Sequence, residues 1–244
     1  MHHTSNTQIQ RRRGLQNLRS ALDHTSLGEQ VYNRIAIGLL NGEMRPNDKL
    51  TIRGLAEQLG VSTTPIRDAI NQLTHERVLE QRSSKDVRVP VMTRADYLEI
   101  LDMRLLLEGL AAERAAERAT PAEHHALRSL LTRTDRATAR GDAALATQCN
   151  QEFHLALSGA ADMPNLQRSL RGLWLRMGPV VVGYYDTSTA DLNTLHYAVL
   201  AAIESGDPVA ARTAIQADIV SAKAQLLDQI DALNAFYADA VAAQ

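Results

Sequence analysis

Residues 53–73 read RGLAEQLGVSTTPIRDAINQL. Gly60 stops one short amphipathic segment, a three-residue turn follows, and Thr64 and Pro65 are placed to cap and open the next as N-cap and first helical residue. Two short helices joined so tightly predict a helix-turn-helix. Ahead of it, Leu27, Val31, Ile35 and Leu39 share one face of a helix from Ser26 to Asn41, closed by Gly42. Behind it, VLEQRSSKDVRVPVM (residues 78–92) places Val78, Leu79, Val87, Val89 and Val91 on either side of a polar tip, as a two-stranded hairpin would. Pro90 then marks an edge strand running into a linker.

From Thr93 onward, 3.6-residue periodicity predicts six amphipathic helices near 93–118, 121–140, 142–160, 164–182, 188–205 and 207–236. The fold class expected is mainly α: an N-terminal winged helix-turn-helix at 25–92 and an all-α, six-helix antiparallel bundle at 93–240. Residues 1–24 form a polar tail carrying Arg11, Arg12 and Arg13. Aromatic residues make up only 4% of the 244, which leaves little material for sheets. A single cysteine, Cys149, excludes an internal disulfide framework and any multi-cysteine zinc knuckle. No apolar run is long enough to span a bilayer, and no apolar segment follows the N-terminal arginines, so a cytoplasmic protein without a membrane partner is expected.

Charge is unevenly divided. Residues 1–92 hold 13 Lys and Arg against 9 Asp and Glu, whereas the remainder holds 13 against 19. A basic front half suits a module that meets phosphates. In it, Thr63 and Thr64 stand at the start of the second short helix, Arg67 lies one turn in, and Ala69, Ile70 and Leu73 can face a core. That leaves Arg67 and Asn71 toward solvent, with Arg53 on the preceding helix, in the arrangement a recognition helix needs. The same residues would also serve a plain three-helix bundle as caps and solubilisers.

LxxGxxxPxxxL from Leu39, then RxLAxxLGVSxTPxRxAxxxLxxxxxL from Arg53 and a hairpin, together resemble the winged helix-turn-helix of GntR-family transcription regulators. The resemblance covers about residues 27–92. It implies that Arg53, Thr63, Thr64, Arg67 and Asn71 meet double-stranded DNA, with Ser83, Ser84 and Lys85 at the wing tip. The chain departs from the family at Thr63, where an arginine is usual, at Arg77, where a glycine is usual, and at Asp86 or Val87 in the wing. Without the arginine that reads guanine, the operator is expected to differ from the family's common GT…AC palindromes.

In the second half, polar residues interrupt apolar stripes. His196 lies among Leu192, Val199 and Leu200; Asp218 adjoins Ile215 and Ile219; Asn150 and His154 share a helical face beside Phe153 and Leu157. Each alone would be a hydrogen-bonded core residue, whereas together they could satisfy one another through a divalent cation. NQEFHLAL, PNLQRSL and LHYAVLAAIESGDPVAARTAIQADI resemble the FadR-type C-terminal ligand-binding domain, on the VanR side of those regulators. This implies a metal site at Asn150, His154, His196 and Asp218. The last two are 22 residues apart, as in the family, but Asp218 stands where a third His is usual and Asn150 where Asp is usual. Zn, Mn, Ni or Fe would suit, held more weakly or with a harder preference than in the three-histidine site.

Arg104 projects from a face that carries Ile100, Leu101, Leu107 and Ala111. Pairing with Glu108 one turn on accounts for it; the resemblance instead implies that it clamps the carboxylate of a small organic acid effector. The function expected is thus a homodimeric transcription regulator, a repressor of a palindromic operator released by that effector, and not an enzyme. The alternative from another class is a helical metal-dependent enzyme with an accessory nucleic-acid-binding module.

Overall fold

The computed structural model describes residues 26–83, 85–187 and 193–242, and the side chains of 183–187 and 240–242 lie outside that description. The arginine run at 11–13 and Ser84 therefore fall outside the described residues. No described helix is long and apolar enough to cross a membrane.

Helix α1 (Leu27–Leu40) begins where the Ser26 hydroxyl accepts from the Glu29 N–H, and buries Val31, Ile35 and Leu39, while Leu27 is half exposed at its start. After the turn at Pro46 comes β1 (Lys49–Leu50), which the sequence reading did not anticipate. Helices α2 (Ile52–Leu59) and α3 (Thr63–His75) follow, the first capped by Thr51 and ended by Gly60 at φ 66°. Helix α3 starts earlier than expected: its N-cap is Ser62 rather than Thr64, and Pro65 is the third helical residue. Proline fits there because the first-turn N–H groups have no intrahelical acceptor anyway.

Strands β2 (Glu80–Ser83) and β3 (Asp86–Arg88) make the hairpin, but the sheet has three strands in the order β1-β3-β2. Lys49 and Leu50 pair antiparallel with Arg88 and Val87. Asn47, itself at φ 66°, ties the third strand on: its carbonyl and side-chain oxygen accept from Arg88, and its side chain also accepts from Arg82.

The helical half contains seven described helices where six were expected: α4 (Arg94–Arg118), α5 (Pro121–Ala139), α6 (Ala143–Ala160), α7 (Pro164–Thr187), α8 (Thr194–Glu204), α9 (Pro208–Ser221) and α10 (Lys223–Ala242). The segment read as one helix from 207 to 236 breaks at Ala222, with no Gly or Pro to announce it. Conversely, α7 continues past Gly183, where a break was expected. Helix α4 packs against α9 and α6, α5 against α6, and α7 against α6 and α10, around a core that includes Tyr97, Phe153 and Trp174.

The two halves touch through α7. Leu175 belongs to the apolar core of the N-terminal half, Arg171 donates to Asn33 of α1, and a Cβ on Gly178 would lie 2.7 Å from the Leu39 carbonyl oxygen. Helix α10 reaches back as well: Tyr237 donates to the Pro46 carbonyl and Asn234 to that of Met92. Between α1, α3 and α7 lies an open cleft of about 900 Å³ lined by Glu29, Asp68 and Glu76 and by Arg168, Arg171 and Arg176.

Candidate functional site

Helix α3 buries Pro65, Ile66, Ala69, Ile70 and Leu73, which turns its other face outward. Thr63, Thr64, Arg67 and Asn71 are exposed on that face, and Arg53 is exposed on α2. Ser83 and Lys85 are exposed at the wing tip. Asp86 is half buried and held between Arg88, 3.0 Å away, and Lys49, 3.9 Å away. The one acidic residue beside the tip is thus neutralised within the sheet.

In the helical half, α6, α8 and α9 bring His154, His196 and Asp218 together below the surface. The two imidazole Nε2 atoms are 3.4 Å apart, and the Asp218 carboxylate oxygens lie 3.4 Å from that of His154 and 3.2 Å from that of His196. Asn150, one turn before His154, lines the same small cavity.

What aims the rings is a set of partners behind them. His154 Nδ1 lies 2.6 Å from Glu108 Oε2, and Arg104 Nε donates to the other oxygen of the same carboxylate at 2.5 Å. Burial pushes the Glu108 carboxyl up, but the Arg104 guanidinium and His154 overcome this and hold it at about 2. An ionised carboxylate can only accept, so Nδ1 of His154 carries a proton and its Nε2 is the atom turned to His196 and Asp218. On the other side, the Asn193 amide nitrogen donates to Asp135 and to the Leu131 carbonyl, which turns its oxygen toward His196 Nδ1 at 3.3 Å. The same reasoning puts a proton on His196 Nδ1 and turns its Nε2 to Asp218.

Two imidazole nitrogens and a carboxylate converging within such distances are held together by a proton shared between them or by a cation standing among them. Donor atoms around a tetrahedral ion with bonds of about 2.1 Å are about 3.4 Å apart, so the spacing observed here fits a divalent metal. Burial also pushes the Asp218 carboxyl up, but His196, His154 and Arg104 lower it on balance, so it is available as an anionic ligand.

The Glu108 pairing that its spacing suggested for Arg104 is present. The pair is buried, with Arg104 at 5% and Glu108 at 1% exposure, and Arg104 also lines the cavity of the histidines. Its guanidinium carbon sits 4.1 Å above the centre of the Trp174 ring, a cation–π stack that holds the plane fixed. The sequence offered a weak pointer to Glu108, its spacing from Arg104, and none to Asn193 as the support of His196.

Residues 27–89 match the family described as bacterial regulatory proteins, gntR family, and residues 99–221 match the FCD domain. The chain is 32% identical over 190 residues to the HTH-type transcriptional regulator McbR of Escherichia coli, covering 76% of this chain and 86% of that one. It is 31% identical over 129 residues to the Nta operon transcriptional regulator of Aminobacter aminovorans, covering 53% and 61%. The solved structure of E. coli McbR/YncC superposes with a TM-score of 0.78 at 30% identity, covering 84% of this chain and 99% of that one. A GntR regulator structure from Rhodococcus sp. RHA1, 20% identical, shares the fold with a TM-score of 0.70 over 82% of this chain and 97% of the other. These relatives and domains are those of transcription regulators and not of enzymes, so the metal-dependent enzyme considered as the alternative is set aside. The chain belongs to the GntR family, in the group whose winged helix-turn-helix is followed by an FCD domain, and is a transcription regulator.

Proposed function

We propose that this regulator is a homodimeric repressor, divided near Met92 and Thr93 into a reading head and an effector domain, which leaves a palindromic operator when a small carboxylate binds beside a divalent ion. The observation that carries the reading is the convergence of two imidazole Nε2 atoms and the Asp218 carboxylate around one point, each imidazole backed by its own acceptor. Asn150, His154, His196 and Asp218 would hold the ion, with Zn, Mn, Ni or Fe as the candidates, and Arg104 would hold the effector's carboxylate. The bound ion would supply a Lewis-acid partner for an oxygen of the effector.

Arg53, Thr63, Thr64, Arg67 and Asn71 would enter or border the major groove, with Ser83, Ser84 and Lys85 against the backbone. Met103 and Leu106 on α4 and Val209 and Val220 on α9, helices that pack on each other, expose apolar side chains, with Leu106 at 72% and Val209 at 74%. These exposed apolar side chains support assembly of two copies through the helical half. An effector displaces the operator only as far as it binds the released state better than the DNA-bound one.

A gel-shift titration of operator DNA tests the head. Arg67→Ala is expected to weaken binding by about 1–3 kcal/mol with an unchanged melting temperature; unchanged affinity would remove α3 as the reader. For the effector domain, thermal shifts with a panel of divalent metals and short organic acids, with and without chelator, are expected to show stabilisation by the metal and a further rise with the acid.

A further inference from the structure

Helix α10 starts at the histidine cavity and ends at the wing. Its junction with α9, Ala222, lies one turn after Asp218, and Ser221, Ala222 and Leu226 line the cavity beside that carboxylate. The Ser221 hydroxyl donates to the Asp218 carbonyl at 2.7 Å, which ties the junction to the residue that bears the carboxylate. Leu226, Leu227 and Ile230 are then buried in the helical core, and Gln229 donates to the Val180 carbonyl of α7 at 2.7 Å. Beyond Ile230 no residue from 231 to 239 is buried, so the core does not account for the second half of the helix. What that half reaches is the base of the wing, about 22 Å from Ala222 at 1.5 Å per residue. Tyr237 donates to the Pro46 carbonyl at 2.6 Å and Asn234 to the Met92 carbonyl at 2.9 Å. These two carbonyls bracket the sheet. Pro46 directly precedes Asn47, whose N–H donates to the Val89 carbonyl and whose oxygens hold Arg82 of β2 and Arg88 of β3.

We propose that Tyr237 is a positioning residue for the wing: it acts through Pro46 and Asn47, and α10 makes the placement of the wing answer to the Asp218 site. This rests on the reading of His154, His196 and Asp218 as a metal site. A helix moves as a rod because its backbone hydrogen bonds tie each residue to the fourth before it, so a shift of Asp218 and the Ala222 junction is felt at Tyr237. The ties of α7 to the head go instead to α1, with Gly178 against Leu39 and Arg171 on Asn33. A displaced α10 therefore tilts the wing against a first helix that α7 holds in place. Both contacts of α10 with the wing base are single hydrogen bonds to backbone carbonyls from half-buried side chains, which can be made and released without opening a core.

Hydrogen–deuterium exchange of the full-length, DNA-free protein, with Zn²⁺ and with chelator, tests both ends of the rod. In the parent, Zn²⁺ is expected to slow exchange around the cavity, in peptides spanning 150–158 and 215–226, and also at the wing base, in peptides spanning 46–50 and 86–92. Tyr237→Phe keeps the ring that packs edge-on against Phe236 and removes only the donor. It is expected to speed exchange at the wing base by roughly 5-fold in chelator, the worth of one hydrogen bond, and to abolish the Zn²⁺ response there while the cavity still responds. A Tyr237 that merely props the fold would speed exchange by the same factor with and without Zn²⁺. That outcome overturns its role, as does a wing base whose exchange Tyr237→Phe leaves unchanged. If Zn²⁺ slows exchange at the cavity of the parent and not at its wing base, the coupling is overturned and the metal site stands. If the cavity itself shows no response, the metal reading falls and the proposal with it.

Discussion

Arg77 closes α3 at φ 58°, where its N–H bonds to the Thr74 carbonyl and that of Val78 to Leu73. This is the left-handed C-cap position that glycine fills at low cost, and here an exposed side chain with a Cβ occupies it. Arg77→Gly is expected to raise stability by about 1 kcal/mol, seen as a higher denaturant midpoint with an unchanged slope. Glu108 is the opposite case, since Arg104 and His154 both depend on one buried carboxylate. Glu108→Ala leaves a guanidinium enclosed without its partner and is expected to cost about 3–5 kcal/mol by chemical denaturation. The sequence made Arg104 and Glu108 legible as neighbours on a helix, because that needs only the spacing of four. Their burial depended on Trp174 and Met177 arriving from α7, about 70 residues away, which no local pattern records. Asn150, His154, His196 and Asp218 were legible because polar residues in apolar stripes stand out. Asn193 was not, because it sits in a turn where asparagine is ordinary.

Helix boundaries follow local chemistry wherever a cap supplies it. Thr93 with Asp96 and Thr120 with Glu123 form complete capping boxes, and α4 and α5 begin within a residue of where the sequence places them. Hydrogen bonds from the Thr120 backbone and hydroxyl hold the Glu123 carboxyl below the usual glutamate range. Its contribution to α5 is therefore whole above the ordinary glutamate pKa and lost as the pH falls through the depressed one. Glu123→Gln is expected to melt with a smaller acid-side loss than the parent in a pH series. The break at Ala222 and the passage of α7 through Gly183 escaped the sequence for the converse reason, since tertiary packing decided them and no cap or breaker marks the choice. Gly178 in α7 has a plain steric role. Gly178→Ala drives a methyl into the backbone of α1 and is expected to cost about 1–3 kcal/mol in a thermal or denaturant melt.

At the scale of the whole molecule, the winged head and helical second half were legible because turn residues and apolar periodicity repeat across many positions. The third strand was not, because β1 is two residues long and exists through Asn47 and its partners on β3. If the exposed apolar residues of α4 and α9 join two copies, Leu106→Glu should yield monomers in sedimentation and should weaken operator binding, because two heads no longer bind as one unit. Retained dimers would place the interface elsewhere.

The contact between α1 and α7 has a consequence for anyone who would rewire this regulator. Leu39 and Leu40 sit on Gly178 at backbone distance, Asn33 is held by Arg171, and Leu175 is lodged among the apolar residues of the head. Cutting the chain near residue 92 and grafting a different reading head would set a foreign first helix on a surface shaped for this one. A chimera that keeps its response to small molecules should therefore carry α1 and α7 as a matched pair, the graft running along a spatial seam and not along a single point in the chain.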